Sequence, residues 1–145
     1  MLFDVSKSQC EVNQKIVVCE ENKVKHITKN PNSCYKVYKY KIDGDIISNA
    51  EQGLRCDYIV EVDREEKKDA FIIELKGSDV EHAIDQIKAT ISRYRNKLNS
   101  YIIRPRIVYR NNVHDIKGSK MRQFKREYPL TGYKSNCLED DLSRL

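Results

Sequence analysis

Two apolar runs separated by a charged segment dominate the hydropathy pattern. Tyr58-Ile59-Val60 and Phe71-Ile72-Ile73 are rich in β-branched and aromatic residues, and charged positions fill the stretch between them. Such runs read as strands, and the turn around residues 64–68 makes them a hairpin. After the second run the period changes. Val80, Ile84, Ile87, Ile91, Tyr94 and Leu98 recur at spacings of three and four, which predicts a helix of about 18 to 20 residues with one apolar stripe. Ser78-x-x-Glu81 has capping-box form at its start, directly behind Gly77. Gln86, Thr90, Arg93 and Lys97 line up on a different face.

The flanking segments are shorter. Residues 15–19 and 24–27 read as two strands around a turn, residues 35–42 as a half-exposed strand alternating tyrosine or aliphatic residues with lysine, and Asp43-Gly44-Asp45 as a tight turn. Lys36, Lys39 and Lys41, interleaved with tyrosines, read first as solvated lysines on a strand that packs its aromatics inward, with contact to a nucleic-acid backbone as the functional alternative. Pro105 has no N–H for a ladder, so the next strand is expected to start at Arg106 and run to Tyr109, with Asn111-Asn112 ending it. A strand, a helix and a strand in this order predict a right-handed crossover with the two strands parallel. Gly118-Ser119 opens a second helix carrying Met121, Phe124 and Tyr128 on one face, Pro129 stops it, and a short strand is expected at Tyr133. The acidic run Glu139-Asp140-Asp141 suggests no element. The first 14 residues predict only a short irregular or helical lead-in.

These elements describe an α/β chain. At 145 residues it is expected to form one domain, with a strand-rich part over 1–50, a core over 51–110 and a C-terminal helix and tail over 111–145. A charged fraction of 34% beside 39% hydrophobic residues suits a folded core rather than a disordered chain. No apolar run approaches the roughly 18 residues of a membrane span. The start shows no basic leader before an apolar segment, so a cytoplasmic location is the expectation. The five cysteines are widely spaced without a Cys-x-x-Cys pair, a pattern of free thiols rather than of a zinc knuckle or disulfide framework.

Charge sharpens the picture. Between Gln86 and Arg126 twelve Lys/Arg face a single acid, Asp115. Such an excess attracts polyanions, and Arg93, Lys97, Arg104, Arg106, Lys120 and Arg122 are the candidate nucleic-acid contacts within it. The chemistry would come from the hairpin. Glu74 and Lys76, two apart on a strand, share a face while Leu75 points away, and Asp57 falls opposite or nearly opposite them. Two carboxylates at one strand end suit Mg²⁺ or Mn²⁺, because no histidine stands at a ligand spacing to the pair. The main-chain carbonyl of Leu75 is a candidate third ligand, Lys76 a stabiliser of developing charge, and Glu51 a candidate further acid.

Asp57 followed by Glu74-Leu75-Lys76, with a helix starting near Ser78, resembles the PD-(D/E)XK phosphodiesterase superfamily, whose members are restriction-endonuclease-like. The resemblance covers residues from about 51 to 109. It implies a mixed central sheet flanked by helices, here with additional N-terminal strands. It implies that Asp57 and Glu74 bind metal, that Lys76 is the catalytic lysine and that Gln86 is the helix glutamine many members carry. Glu51 matches the upstream acid of some members. The chain departs from the pattern with Cys56 where a proline is common, with Thr90 where a subset has tyrosine, and with no predicted helix ahead of the hairpin. The implied activity is Mg²⁺-dependent hydrolysis of nucleic acid, DNA before RNA, by a homodimer or as part of a larger defence or repair complex. An inactive nucleic-acid-binding module and an accessory interaction protein are the alternatives.

Overall fold

Strict alternation in the N-terminal segment produces a hairpin. Val17 and Cys19 are buried while Ile16, Val18 and Glu20 are exposed, so the segment folds as strand β1 (Ile16–Glu21) and returns as β2 (Val24–Lys29). Asn22 and Lys23 make the connection with φ of 52° and 62°, the left-handed pair a two-residue hairpin turn requires. The computed structural model describes residues 1–111 and 114–145. The Asn112 half of the turn predicted after the crossover strand lies outside these described residues.

The next strand, β3 (Lys36–Lys41), is one edge of a five-stranded sheet. It pairs antiparallel with β4 (Tyr58–Asp63), and β4 pairs antiparallel with β5 (Lys68–Lys76). The hairpin turn is as short as its charged residues predict, with the Arg64 N–H donating to the Lys67 carbonyl at 2.9 Å. Helix α1 (Val80–Arg93), a short continuation α2 (Arg95–Leu98) and strand β6 (Ile102–Tyr109) follow, and β6 lies parallel to β5. After helix α3 (Ser119–Glu127), β7 (Gly132–Ser135) adds parallel to β6, and β8 (Cys137–Asp141) crosses to pair parallel with β2. The result is a mixed α/β fold with two mixed sheets, ordered β3-β4-β5-β6-β7 and β1-β2-β8. No described helix is long and apolar enough to cross a membrane.

The large sheet is buried on both faces, which explains its continuous apolar runs. Tyr58, Val60, Val62, Phe71, Ile73 and Leu75 pack toward β1 and β2 with Val17, Cys19 and Val24. Ile59, Ala70 and Ile72 pack the other way, against Val80, Ile84, Ile87 and Ile91 of α1 and Met121 and Phe124 of α3. The predicted helical stripe is therefore the buried one.

Four local expectations are corrected. The cap of α1 is Asp79, whose carboxylate accepts from the His82 N–H at 2.9 Å, not Ser78. The helical path breaks at Tyr94, with φ −108° and ψ 25°, before α2 completes it. The crossover strand begins at Ile102, not Arg106, because the Pro105 carbonyl accepts from the Arg106 guanidinium at 2.8 Å. The backbone of Pro105 thus faces away from β5, on the side that β7 reaches only at Arg106, and its missing N–H leaves no gap in the ladder. The acidic run 139–141 is part of β8. Its Asp140 lies against Arg106 and His26, so a charged segment that suggests no element forms a strand held by buried partners.

Candidate active site

Where β4 begins, its backbone stops pairing with the end of β5, and side chains take over. The Asp57 N–H still donates to the Ile73 carbonyl at 3.1 Å. One step further, the Leu75 N–H donates to Asp57 Oδ2 at 2.8 Å, and the Leu75 carbonyl accepts from Asn22 Nδ2, also at 2.8 Å. Leu75 packs its own side chain between the sheets, so Glu74 and Lys76 project together on the opposite face. Lys76 Nζ stands 3.3 Å from Glu74 Oε2.

Helix α1 holds this arrangement from the side. Thr90 Oγ1 accepts from the Cys56 N–H at 2.8 Å and donates to the Gln86 carbonyl at 2.9 Å. That fixes the residue ahead of Asp57. Gln86 Nε2 donates to the Arg55 carbonyl at 3.1 Å. Arg55 in turn gathers the preceding loop, through Asp43 at 2.9 Å and the carbonyls of Glu51, Gly53 and Ser48. Thr90 is fully buried, so the polar row along α1 is not a solvent face over its whole length.

These elements enclose an open cleft of about 450 Å³, lined by Glu21, Asn22, Lys41, Asp43, Gly44, Asn49, Asp57, Glu74, Lys76 and Gln86. Glu74 is only 1% exposed, and burial, then the nearby Asp57 charge, pushes its carboxyl up to about 9 against the relief of Lys76. Burial likewise lifts Asp57 to about 6, partly offset by the Leu75 N–H. Two acceptors in the cleft are buried without a partner: Glu74 Oε1 and Gln86 Oε1. Unpartnered buried oxygens are costly, and a hard cation or ordered water is what such a site is suited to hold. Among the described residues no three His, Cys, Asp or Glu side chains form a ready metal cage. The oxygen donors present, Asp57 and Glu74, fit a cation that keeps much of its water rather than one enclosed by protein.

The structure thus brings Asp57, Glu74, Lys76 and Gln86 together. It does not bring Glu51. That residue is exposed, and its carboxylate pairs with Arg93 at 2.8 Å, because the loop before Cys56 turns outward around Arg55. The Leu75 carbonyl does not line the cleft: Leu75 is fully buried, and Asn22, which does line it, donates to that carbonyl.

Most of the expected nucleic-acid contacts are engaged elsewhere. Arg104 and Arg106 alternate with Ile103 and Ile107 along β6 and project between the sheets, where their guanidiniums lie 5.9 and 5.1 Å from the Phe71 ring centre. Arg104 binds Asp69 at 2.8 Å. Arg106 holds Asp140 through two bonds, at 2.7 and 3.0 Å, and donates to the Leu130 carbonyl. Both are structural. Lys120 pairs with Asp85 at 2.8 Å, and Arg122 donates to the Lys117 carbonyl while remaining exposed. Lys97 is exposed with its ammonium over Phe3.

Glu21, Asn22, Asp43 and Lys41 line the cleft although sequence reasoning did not place them there. Lys41, one of the tyrosine-interleaved lysines, pairs with Glu21 at 2.8 Å. The available signal was the two-residue turn Asn22-Lys23, but nothing in the first fifty residues shows which sheet end that turn meets. No family model, curated protein or solved structure matches this chain.

Proposed function

We propose that the cleft hydrolyses phosphodiester bonds of nucleic acid with a divalent cation, in the manner of the PD-(D/E)XK superfamily that residues 57 and 74–76 resemble. One observation carries the reading: Asp57, just ahead of β4, and Glu74 and Lys76 of β5 converge in a single polar cleft that Gln86 also lines. A mixed sheet in which an antiparallel hairpin leads through a helix into a parallel strand is also what a restriction-endonuclease-like core requires.

Asp57 and Glu74 would hold Mg²⁺ or Mn²⁺, which supplies electrophilic stabilisation of the phosphoryl oxygens. Lys76, beside Glu74, places a positive charge where negative charge develops on the attacked phosphate. Gln86 Oε1, buried and unpaired, is placed to accept a hydrogen bond from a water and orient it. DNA is favoured over RNA only by the family resemblance. The test is cleavage of single- and double-stranded DNA and RNA with Mg²⁺ or Mn²⁺, comparing wild type with Glu74→Ala and Lys76→Ala. Cleavage abolished by both supports the assignment; metal-dependent cleavage that survives both removes it.

A second reading, a nucleic-acid-binding module without hydrolysis, is favoured by the Asn22 amide that already occupies the Leu75 carbonyl. It predicts salt-sensitive binding unaffected by Glu74→Ala and no cleavage of any of these substrates.

A further inference from the structure

The β1–β2 turn contributes a residue to the cation site that neither the sequence motif nor the large sheet contains. Asn22 comes from the small sheet, 53 positions before Leu75, yet its Nδ2 reaches the Leu75 carbonyl at 2.8 Å. The turn geometry makes this contact reproducible: φ is 52° at Asn22 and 62° at Lys23, and β1 and β2 are in register up to Glu21 and Val24 on either side. Asn22 therefore stands on a fixed two-residue turn, not on a wandering loop.

The contact is chemically pointed. Leu75 is fully buried, and two residues that line the cleft cover its backbone groups, Asp57 on the N–H and Asn22 on the carbonyl. An amide NH₂ carries partial positive charge, and here it sits on a carbonyl beside two carboxylates, the place an oxygen-seeking cation would take. Beside it Glu74 Oε1 is buried and unpaired. We infer that Asn22 sets the cation affinity of the cleft: its amide occupies the Leu75 carbonyl in the metal-free protein, and a divalent cation that uses this carbonyl must displace it. The inference rests on the reading of Asp57 and Glu74 as cation ligands.

Mn²⁺ binding to the purified full chain, followed by electron paramagnetic resonance and by calorimetry, tests it without reference to activity. Asn22→Gly keeps the left-handed turn and removes only the side chain. It is expected to bind Mn²⁺ roughly 3- to 10-fold more tightly, the equivalent of one hydrogen bond lost from the metal-free state. Asn22→Asp, which replaces the donor with a third carboxylate, is expected to bind more tightly still, while its metal-free form melts at lower temperature because the carboxylate faces the Leu75 carbonyl. Glu74→Ala is expected to abolish the binding. If Glu74→Ala abolishes it but Asn22→Gly binds as wild type or more weakly, the role of Asn22 is wrong and the site stands. If wild type binds no Mn²⁺, or Glu74→Ala leaves binding unchanged, the site itself is wrong and the inference fails with it.

Discussion

At the scale of single residues the two most consequential groups are acids with opposite fates, one buried and one half-buried. Glu74 keeps its proton in the folded protein well above the ordinary value of 4.5, up to about 9, chiefly through burial. In the unfolded chain it loses that proton near the ordinary value, so folding binds a proton throughout this window and stability falls as pH rises from about 4.5 to about 9. Glu74→Gln removes the penalty. It is expected to stabilise the metal-free protein by on the order of 4 kcal/mol at pH 8 and by almost nothing at pH 4, as read from urea unfolding at the two pH values. Asp140 behaves in the reverse sense. Burial would raise its carboxyl, but hydrogen bonds from His26 and Arg106 overcome this and hold it well below the usual carboxylate range. Its contribution is complete at neutral pH and is lost only as acid protonates it. Asp140→Ala leaves the Arg106 guanidinium buried without its partner and is expected to cost about 3 kcal/mol at pH 7, measured by the same unfolding curves.

At the scale of elements, what could be read in advance follows from where the periodicity lives. The hairpin β4–β5 and the stripe on α1 were legible because one continuous surface buries each, so local pattern and tertiary packing agree. The shared face of Glu74 and Lys76 was legible for the same reason, since alternation along β5 sets it, and Asp57, one residue ahead of β4, follows from the hairpin register. Asn22, Glu21 and β8 were not. Their positions depend on how the small sheet stacks on the large one, and no local pattern encodes a contact between Asn22 and Leu75. Arg104 and Arg106 misled because a strand's alternation places side chains on a face without saying whether that face meets water or another sheet. The polar row on α1 gave no sign that Thr90 is buried, with its hydroxyl tying the helix to the residue ahead of β4. Thr90→Val preserves shape and leaves the buried Cys56 N–H without an acceptor, an expected cost of roughly 1–3 kcal/mol. Thermal unfolding reads that cost, and a loss within experimental error would show that the helix does not fix β4 through this bond.

At the scale of the whole molecule, the excess of cations over residues 86–126 is not a uniform binding face, because its central arginines are spent inside. A polyanion that reaches Glu74 must come to the C-terminal ends of β5 and β6, which run parallel and finish together, Lys76 opposite Tyr109. The first residue past that end is Arg110, exposed, with its N–H donating to the Gly77 carbonyl at 3.1 Å. Arg110 is thus placed by main-chain geometry at the sheet end where Lys76 finishes, whereas Arg106, four positions earlier, is 7% exposed and committed to Asp140. The two should separate cleanly in a salt titration of binding to duplex DNA, carried out with Ca²⁺ or without metal to prevent cleavage. Each phosphate contact removed lowers the slope of log K against log salt by about 0.9. Arg110→Ala is expected to lower the slope by about that amount with little change in melting temperature. Arg106→Lys is expected to leave the slope unchanged and to lower the melting temperature, because lysine cannot reproduce the two-bond grip on Asp140. An unaltered slope for Arg110→Ala would move the polyanion away from this sheet end.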